Sequence, residues 1–437
     1  MGLYPLKWML SKRPGGRYNP WMRKRNPRLI VTILALVYFF IPSSARSAEK
    51  DSFIYTMEGE ALGGYSQVEG HDGEFSSLDN WLVSPSWKLN DKLYWINVYN
   101  GSYNRSAQVV AQDEGGRQTD TTQTHNIATS LKYFVNDNWS LRPLFTANWV
   151  FVNETEDESF GDGLYDYRDL TGGLESTWTT LKNEEREEEV RLGFRYINRQ
   201  YPNYRSLISI AGLGNPVETD EKDLDGYKFN LSFDSTAKKE WTWGLEGIFF
   251  YKDYTDKKTI NHNGVLSSSD TREDFVEYVN AYVSRPVNSD WTFRLDGQFT
   301  ANQSNLDYYD GHGTNTLVDD DFIGDYFDYF SFLVKPTLIY ARDWGQDKRF
   351  VVTVDYSCYL LYYPDRRIQN RVGAYQSDDQ EDIQHTVTGK VSVPVTPNLS
   401  WVSFASYTTA DSNQDFEQFY LYSYDLWTIV TGVSLKY

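Results

Sequence analysis

Over much of the chain, apolar and polar residues alternate one for one. In 240–252, Trp241, Trp243, Leu245, Gly247, Phe249 and Tyr251 occupy the odd positions, with Thr242, Gly244, Glu246 and Lys252 between them. In 290–300, Trp291, Phe293, Leu295 and Phe299 interleave with Thr292, Arg294, Asp296 and Gln298. In 226–234, Tyr227, Phe229, Leu231 and Phe233 interleave with Lys228, Asn230, Ser232 and Asp234. At the end of the chain, Trp427, Ile429, Thr431, Val433, Leu435 and Tyr437 share one face, opposite Thr428, Gly432, Ser434 and Lys436. A period of two marks a strand with one apolar and one polar environment. Aromatics at both ends of the apolar face fit a strand that meets two membrane–water interfaces.

The pattern predicts sixteen strands, at about 53–66, 78–89, 92–106, 122–135, 137–152, 164–181, 185–200 and 226–238, then 240–254, 273–287, 290–303, 326–341, 347–363, 382–395, 398–411 and 421–437. Connections alternate in length. Asn90-Asp91, Asn136, Lys239, Asn288-Ser289 and Thr396-Pro397 are short and carry turn chemistry. Polar, acidic stretches such as 107–121, 201–225, 255–272, 304–325 and 364–381 are long, and 201–225 or 304–325 could fold inward. The prediction is all-β: one transmembrane antiparallel up-and-down barrel with short periplasmic turns, long extracellular loops and both termini on the turn side. Pro85, Pro143 and Pro336 fall on outward positions within strands, where proline costs a ladder bond. Strands 92–106, 273–287 and 398–411 alternate too poorly to orient.

Residues 1–48 carry nine Lys or Arg and no acid, and end in an apolar run over 29–41 followed by small residues. That combination reads as a secretory signal peptide, cleaved after Ala45 or Ala48, with Met22 as an alternative start. Residues 49–437 then form a single domain. Without 1–48 the chain has 33 basic and 61 acidic residues, a formal charge of −28. The only cysteine, Cys358, excludes an internal disulfide and is expected to face outward as a small apolar residue. A mean hydropathy of −0.58 is compatible with a barrel, because lipid meets only every second residue. The 34 Tyr, 14 Trp and 24 Phe suit aromatic girdles and argue against disorder.

Catalytic patterns are nearly absent. His71, His125, His262, His312 and His385 are scattered over predicted loops and strand ends, with no Ser or acid at a triad-like arrangement. No catalytic residue and no cofactor is expected. Asp319, Asp320 and Asp321 are weak candidates for calcium, which prefers clustered oxygens. The informative residues lie on the inward face. Arg142, Glu175, Glu187, Glu189, Arg191, Arg195, Arg199, Lys228, Glu246, Arg294, Asp296, Lys335, Arg349 and Asp355 are the candidates to line a lumen, with Asp234, Lys390 and Lys436 on the same side. Two readings stay open: a cationic track gripping an acidic solute, or mutual pairing that stiffens the wall.

The terminal strand ending on Tyr437, the leader and the repeated alternation resemble bacterial outer-membrane β-barrel proteins of the porin-like class. The resemblance rests on pattern over nearly all of 53–437 and selects no particular family. It implies residence in the outer membrane of a Gram-negative bacterium, among lipid and lipopolysaccharide. It also implies insertion by the barrel-assembly machinery, which reads a terminal aromatic such as Tyr437, and frequent homotrimers. A nucleic-acid partner is not expected. The functional expectation is a channel for small hydrophilic solutes, acidic oligosaccharides included. An export or surface-assembly barrel for a polysaccharide is the alternative, with an outer-membrane hydrolase a distant third.

Overall fold

The structure, a computed structural model, describes residues 52–107, 118–155, 159–204, 220–237, 241–310, 321–345, 348–416 and 422–437. The predicted leader lies outside them. The first strands are β1 (Phe53–Val68), β2 (Glu74–Asn90), β3 (Leu93–Ala107), β4 (Gln118–Asn136), β5 (Trp139–Thr155) and β6 (Tyr167–Lys182). Next come β7 (Arg186–Gln200), β8 (Leu224–Ala237), β9 (Thr242–Ile260), β10 (Leu266–Pro286), β11 (Trp291–Ser304) and the short pair β12 (Tyr308–Asp310) and β13 (Asp321–Ile323). The last are β14 (Tyr329–Asp343), β15 (Arg349–Gln369), β16 (Tyr375–Pro394), β17 (Leu399–Ser412) and β18 (Tyr424–Lys436).

All except β12 and β13 pair antiparallel with their neighbours into a closed barrel, and β1 pairs with β18 to close it. The sixteen wall strands match the predicted ones one for one. Two long connections are shorter than expected, because β9 and β10 run on to Ile260 and from Leu266, and β15 and β16 to Gln369 and from Tyr375. Beyond an apolar surround both strand faces meet water, so no alternation marks these extensions in sequence.

Each proline is accommodated by giving up pairing on one side only. Pro85 keeps its register with Tyr55 of β1, while the β2–β3 ladder skips from Val83 to Ser86. Pro336 keeps Leu295 of β11, while the β14–β15 ladder skips from Val334 to Thr337. Pro143 likewise pairs with Leu174, opposite a gap between Ser130 and Tyr133 of β4.

The barrel is not organised around a central core. Its exterior is an apolar band on which Phe194, Leu231, Leu245 and Ile429 are 49–56% exposed. An outward surface that apolar, over so many strands, fits lipid rather than water. Trp87 stacks on Trp95 and Phe233 on Trp243, and Trp291 packs at a tilt against Tyr340, near the short-turn ends of their strands. Cys358 faces outward, in register with His385 and Val334. On the inner side the main buried apolar cluster is small: Leu62, Val402 and Val430, backed by Leu78 and Phe404.

Candidate functional site on the inner face

Strand register decides what points inward. Paired residues share a face, and alternate residues along a strand change face. From β7 to β11 one rung runs Arg195, Lys228, Phe250, Val276 and Asn302. The neighbouring rung one residue along runs Phe194, Phe229, Phe249, Glu277 and Ala301, on the outer face. The same parity places all fourteen candidates, from Arg142 to Asp355, on the inner face. Arg349 sits at the base of β15, opposite Asp343.

The cations there are mostly met by acids. Arg142 donates to Glu175 at 2.9 Å, and Arg195 approaches the same carboxylate at 3.8 Å. Arg191 lies between Asp234 at 2.8 Å and Glu189 at 3.5 Å. Arg199 holds Asp169 through two bonds of 2.7 and 2.9 Å and lies over the Tyr167 ring. Arg294 pairs with Asp296, Lys335 with Asp355 at 3.3 Å, Lys390 with Glu60 at 2.8 Å, and Lys182 with Glu187 at 3.0 Å. Glu246 accepts from Asn280. Of the two readings left open by the sequence, pairing describes nearly every arginine.

Two inward lysines on β8 and β9 differ, as does Lys132 on β4, whose ammonium lies over the Phe134 ring. Lys228 and Lys252 have no carboxylate within 4.0 Å among the described residues, and the ammonium of Lys252 lies over the Phe250 ring. Lys228 is in register with Phe250, so Lys252 is its diagonal neighbour on the next strand. Such diagonal pairs lie about 7–8 Å apart. Arg195 is opposite Lys228 on the other side. Three inward cations thus climb from β7 to β9. Lys252 fell within the alternating pattern of 240–252, but nothing in sequence distinguished it from any other inward lysine.

Above them, a cavity of about 340 Å³ opens on the inner side of β7 to β10. Its floor and walls include Ile197, Arg199, Leu224, Phe250, Lys252 and Tyr254, with Tyr201 and Tyr204 from the connection after β7. Leu306 and Phe327, from the two ends of the β11–β14 connection, close one side, so the described ends of that connection fold inward. Asn302 fixes this turn by donating to the Phe327 carbonyl, and Asp328 accepts the Ser304 amide at 2.7 Å. Arg272 bonds Asp274 at 2.8 Å and packs on the rings of Tyr254 and Phe327. Lys257 bonds Glu221 at 2.8 Å. Lys222 faces the rings of Tyr165 and Tyr204. Asp223, just before β8, accepts the Tyr201 amide, and burial raises its carboxyl above the ordinary range. Arg272, Asp274, Lys257 and Glu221 went unrecognised in sequence because they lie in or next to stretches read as loop.

The remaining candidates lie elsewhere. Tyr437 is well exposed as a side chain, while its backbone exchanges two hydrogen bonds with Met57. Asp319, Asp320 and His312 lie outside the described residues, and Asp321 begins β13. Among the described residues no group of three or more His, Cys, Asp or Glu is placed to hold a metal. His125 and His385, expected at loops or strand ends, sit well inside β4 and β16 on the outer face. Each ring Nδ1 is hydrogen-bonded with a tyrosine hydroxyl, Tyr99 at 2.9 Å and Tyr356 at 2.8 Å.

No family model matches the sequence, and no curated protein matches it. Among solved structures, the chain is similar to a bacterial polysaccharide outer-membrane secretin, at 8% identity and a TM-score of 0.43, covering 88% of this chain and 98% of that one. It is similar to OmpT of Vibrio cholerae in its trimer form, at 10% identity and a TM-score of 0.43, over 89% of this chain and all of the other. It is also similar to the outer-membrane protein opdK of Pseudomonas aeruginosa, at 10% identity and a TM-score of 0.43, covering 88% and 99%. Likeness at this level says nothing of solute or activity.

Proposed function

We propose that this chain is an outer-membrane channel through which small hydrophilic solutes pass, with a preference for acidic ones, acidic oligosaccharides included. One observation carries the reading: Lys228 and Lys252, diagonal neighbours on the inner wall, have no carboxylate within 4.0 Å among the described residues, unlike the arginines around them. Sixteen strands are enough to leave an aqueous lumen. A charge on a low-dielectric wall focuses its field into that lumen, and rings of charge set pore selectivity. Surface-loop acids oppose anion entry, but exposed charges are screened within about 8 Å at physiological salt. The reading assigns no catalysis, since the strand histidines His125 and His385 face away from the lumen and bond tyrosines.

The test is reversal potential in a potassium chloride gradient across planar bilayers holding the refolded barrel. The expected result is a conducting pore whose reversal potential moves toward the potassium value in the Lys228→Gln/Lys252→Gln double variant. A barrel that folds but does not conduct, or an unchanged reversal potential in the double variant, overturns the proposal.

A further inference from the structure

We infer that the cavity above Lys228 is a binding subsite for a carboxylate carried on a six-membered ring, with Lys252 as its anchor. The inference rests on the channel reading, which puts the cavity on the path of the solute.

Charge accounting singles out the anchor. Arg199, Arg272 and Lys257 face the cavity, but each already holds its own acid: Asp169 at 2.7 Å, Asp274 at 2.8 Å and Glu221 at 2.8 Å. Lys222 also lines it, with its ammonium engaged by the rings of Tyr165 and Tyr204. Lys252 lies on the same wall in register with Asp274, but that carboxylate is taken up by Arg272 and the Tyr254 hydroxyl. No carboxylate comes within 4.0 Å of Lys252 among the described residues, and its ammonium lies 5.4 Å from the Phe250 ring. A half-buried ammonium whose opposite carboxylate is already bonded elsewhere is costly, and the cost is relieved when an anion binds. Arg199 and Arg272 on either side reinforce the local positive potential.

The rest of the cavity specifies more than charge. The rings of Phe250, Tyr254 and Phe327 line it, and Arg272 stacks at 4.8 Å from the centroids of both Tyr254 and Phe327, holding those two rings in place. Preformed rings beside one ammonium that holds no ion pair suit a flat-faced ring bearing one carboxylate, since the ring buries its face while the carboxylate meets the ammonium. A volume of about 340 Å³ is at the small end of the range for small-molecule sites, so it takes one ring rather than a chain. Uronic acids and aromatic acids share this chemistry.

The experiment is titration calorimetry on the refolded full-length barrel in detergent, with galacturonate, benzoate and galactose as separate probes. Galacturonate or benzoate is expected to bind, and whichever binds names the source. Uncharged galactose should bind at least about tenfold more weakly, the scale of one charge-assisted hydrogen bond. Lys252→Gln should weaken the acid by a similar factor, and Lys252→Arg should recover most of it, with heat-modifiable mobility confirming that each variant folds. If galactose binds as well as galacturonate, if neither acid binds, or if Lys252→Gln leaves affinity unchanged, the inference fails. A pore that conducts yet binds neither acid refutes the subsite alone. A barrel that binds acid through Lys252 but does not conduct refutes the channel alone.

Discussion

Glu175 serves two guanidinium groups, and replacing it by Gln tests how much the inner-wall network stabilises the barrel. Its carboxylate is only 12% exposed and lies 2.9 Å from Arg142 and 3.8 Å from Arg195, which are about one-third exposed. At an effective dielectric of 20, each contact is worth about 4 kcal/mol before desolvation and entropy are charged against it. Partial exposure of both arginines screens that figure heavily, leaving a net cost of about 1–3 kcal/mol on neutralising the shared acid. The Arg142 Nε is already buried without a hydrogen-bond partner, so the variant weakens the one acid that holds an under-satisfied guanidinium. Asp296→Asn is the internal comparison. Its partner Arg294 is two residues away on the same strand, with side chains 40% and 31% exposed, and the loss there should stay below about 1 kcal/mol. Guanidinium unfolding of the refolded barrel, followed by tryptophan fluorescence and checked for reversibility, measures both. Equal losses for the two variants, or a smaller loss for Glu175→Gln, would refute the view that shared, shielded pairing stiffens this wall.

Tyr437→Asp should lower the yield of heat-modifiable barrel in outer membranes, because a charge replaces the aromatic end of the strand; wild-type yield would count against this. Gly432→Ala should impair barrel closure, since a Cβ there would lie 1.9 Å from the Ala61 carbonyl oxygen of the partner strand, and refolding yield reads this directly. Gly172→Ala, where an added Cβ meets nothing within 4 Å, should refold like wild type and serves as its control. Arg191→Gln/Arg195→Gln should move the reversal potential toward cations by removing two inner-wall charges. An unchanged value would mean that these arginines lie outside the conducting path.

Strand positions were legible in sequence because lipid and lumen impose opposite demands on alternate residues. Orientation failed where that contrast is blurred. β3 puts Asn97 on the outside, β10 puts Glu277 outside and the fully buried Val276 inside, and β17 puts Ser403 outside with Val402 and Phe404 inside. The identity of the inner-wall cations was legible from the same alternation. Their pairing was not: Arg142 and Glu175 are 33 residues apart, and only the stagger between β5 and β6 brings them level. The cavity was still less visible, because it depends on Leu306 and Phe327 turning inward from a connection whose sequence reads simply as polar loop.

The seam between β1 and β18 has a consequence for how the wall is assembled. Every other junction joins consecutive wall strands, whereas this one sets Glu58 beside Lys436 and Leu62 beside Gly432, nearly the whole described chain apart. Local hairpins can zip at modest entropic cost, but a contact so distant in sequence is slow to find. Until it forms, the growing sheet has two bare edges, each a template for pairing with another chain. The search for partner strands therefore narrows to a single late event. Crowding at Gly64 and Gly432, where even one added carbon would strike the opposite backbone, makes that event selective for one register. A sheet that slipped by two residues would carry a residue with a Cβ into each of those close approaches to backbone, so the seam itself disfavours the slipped closures.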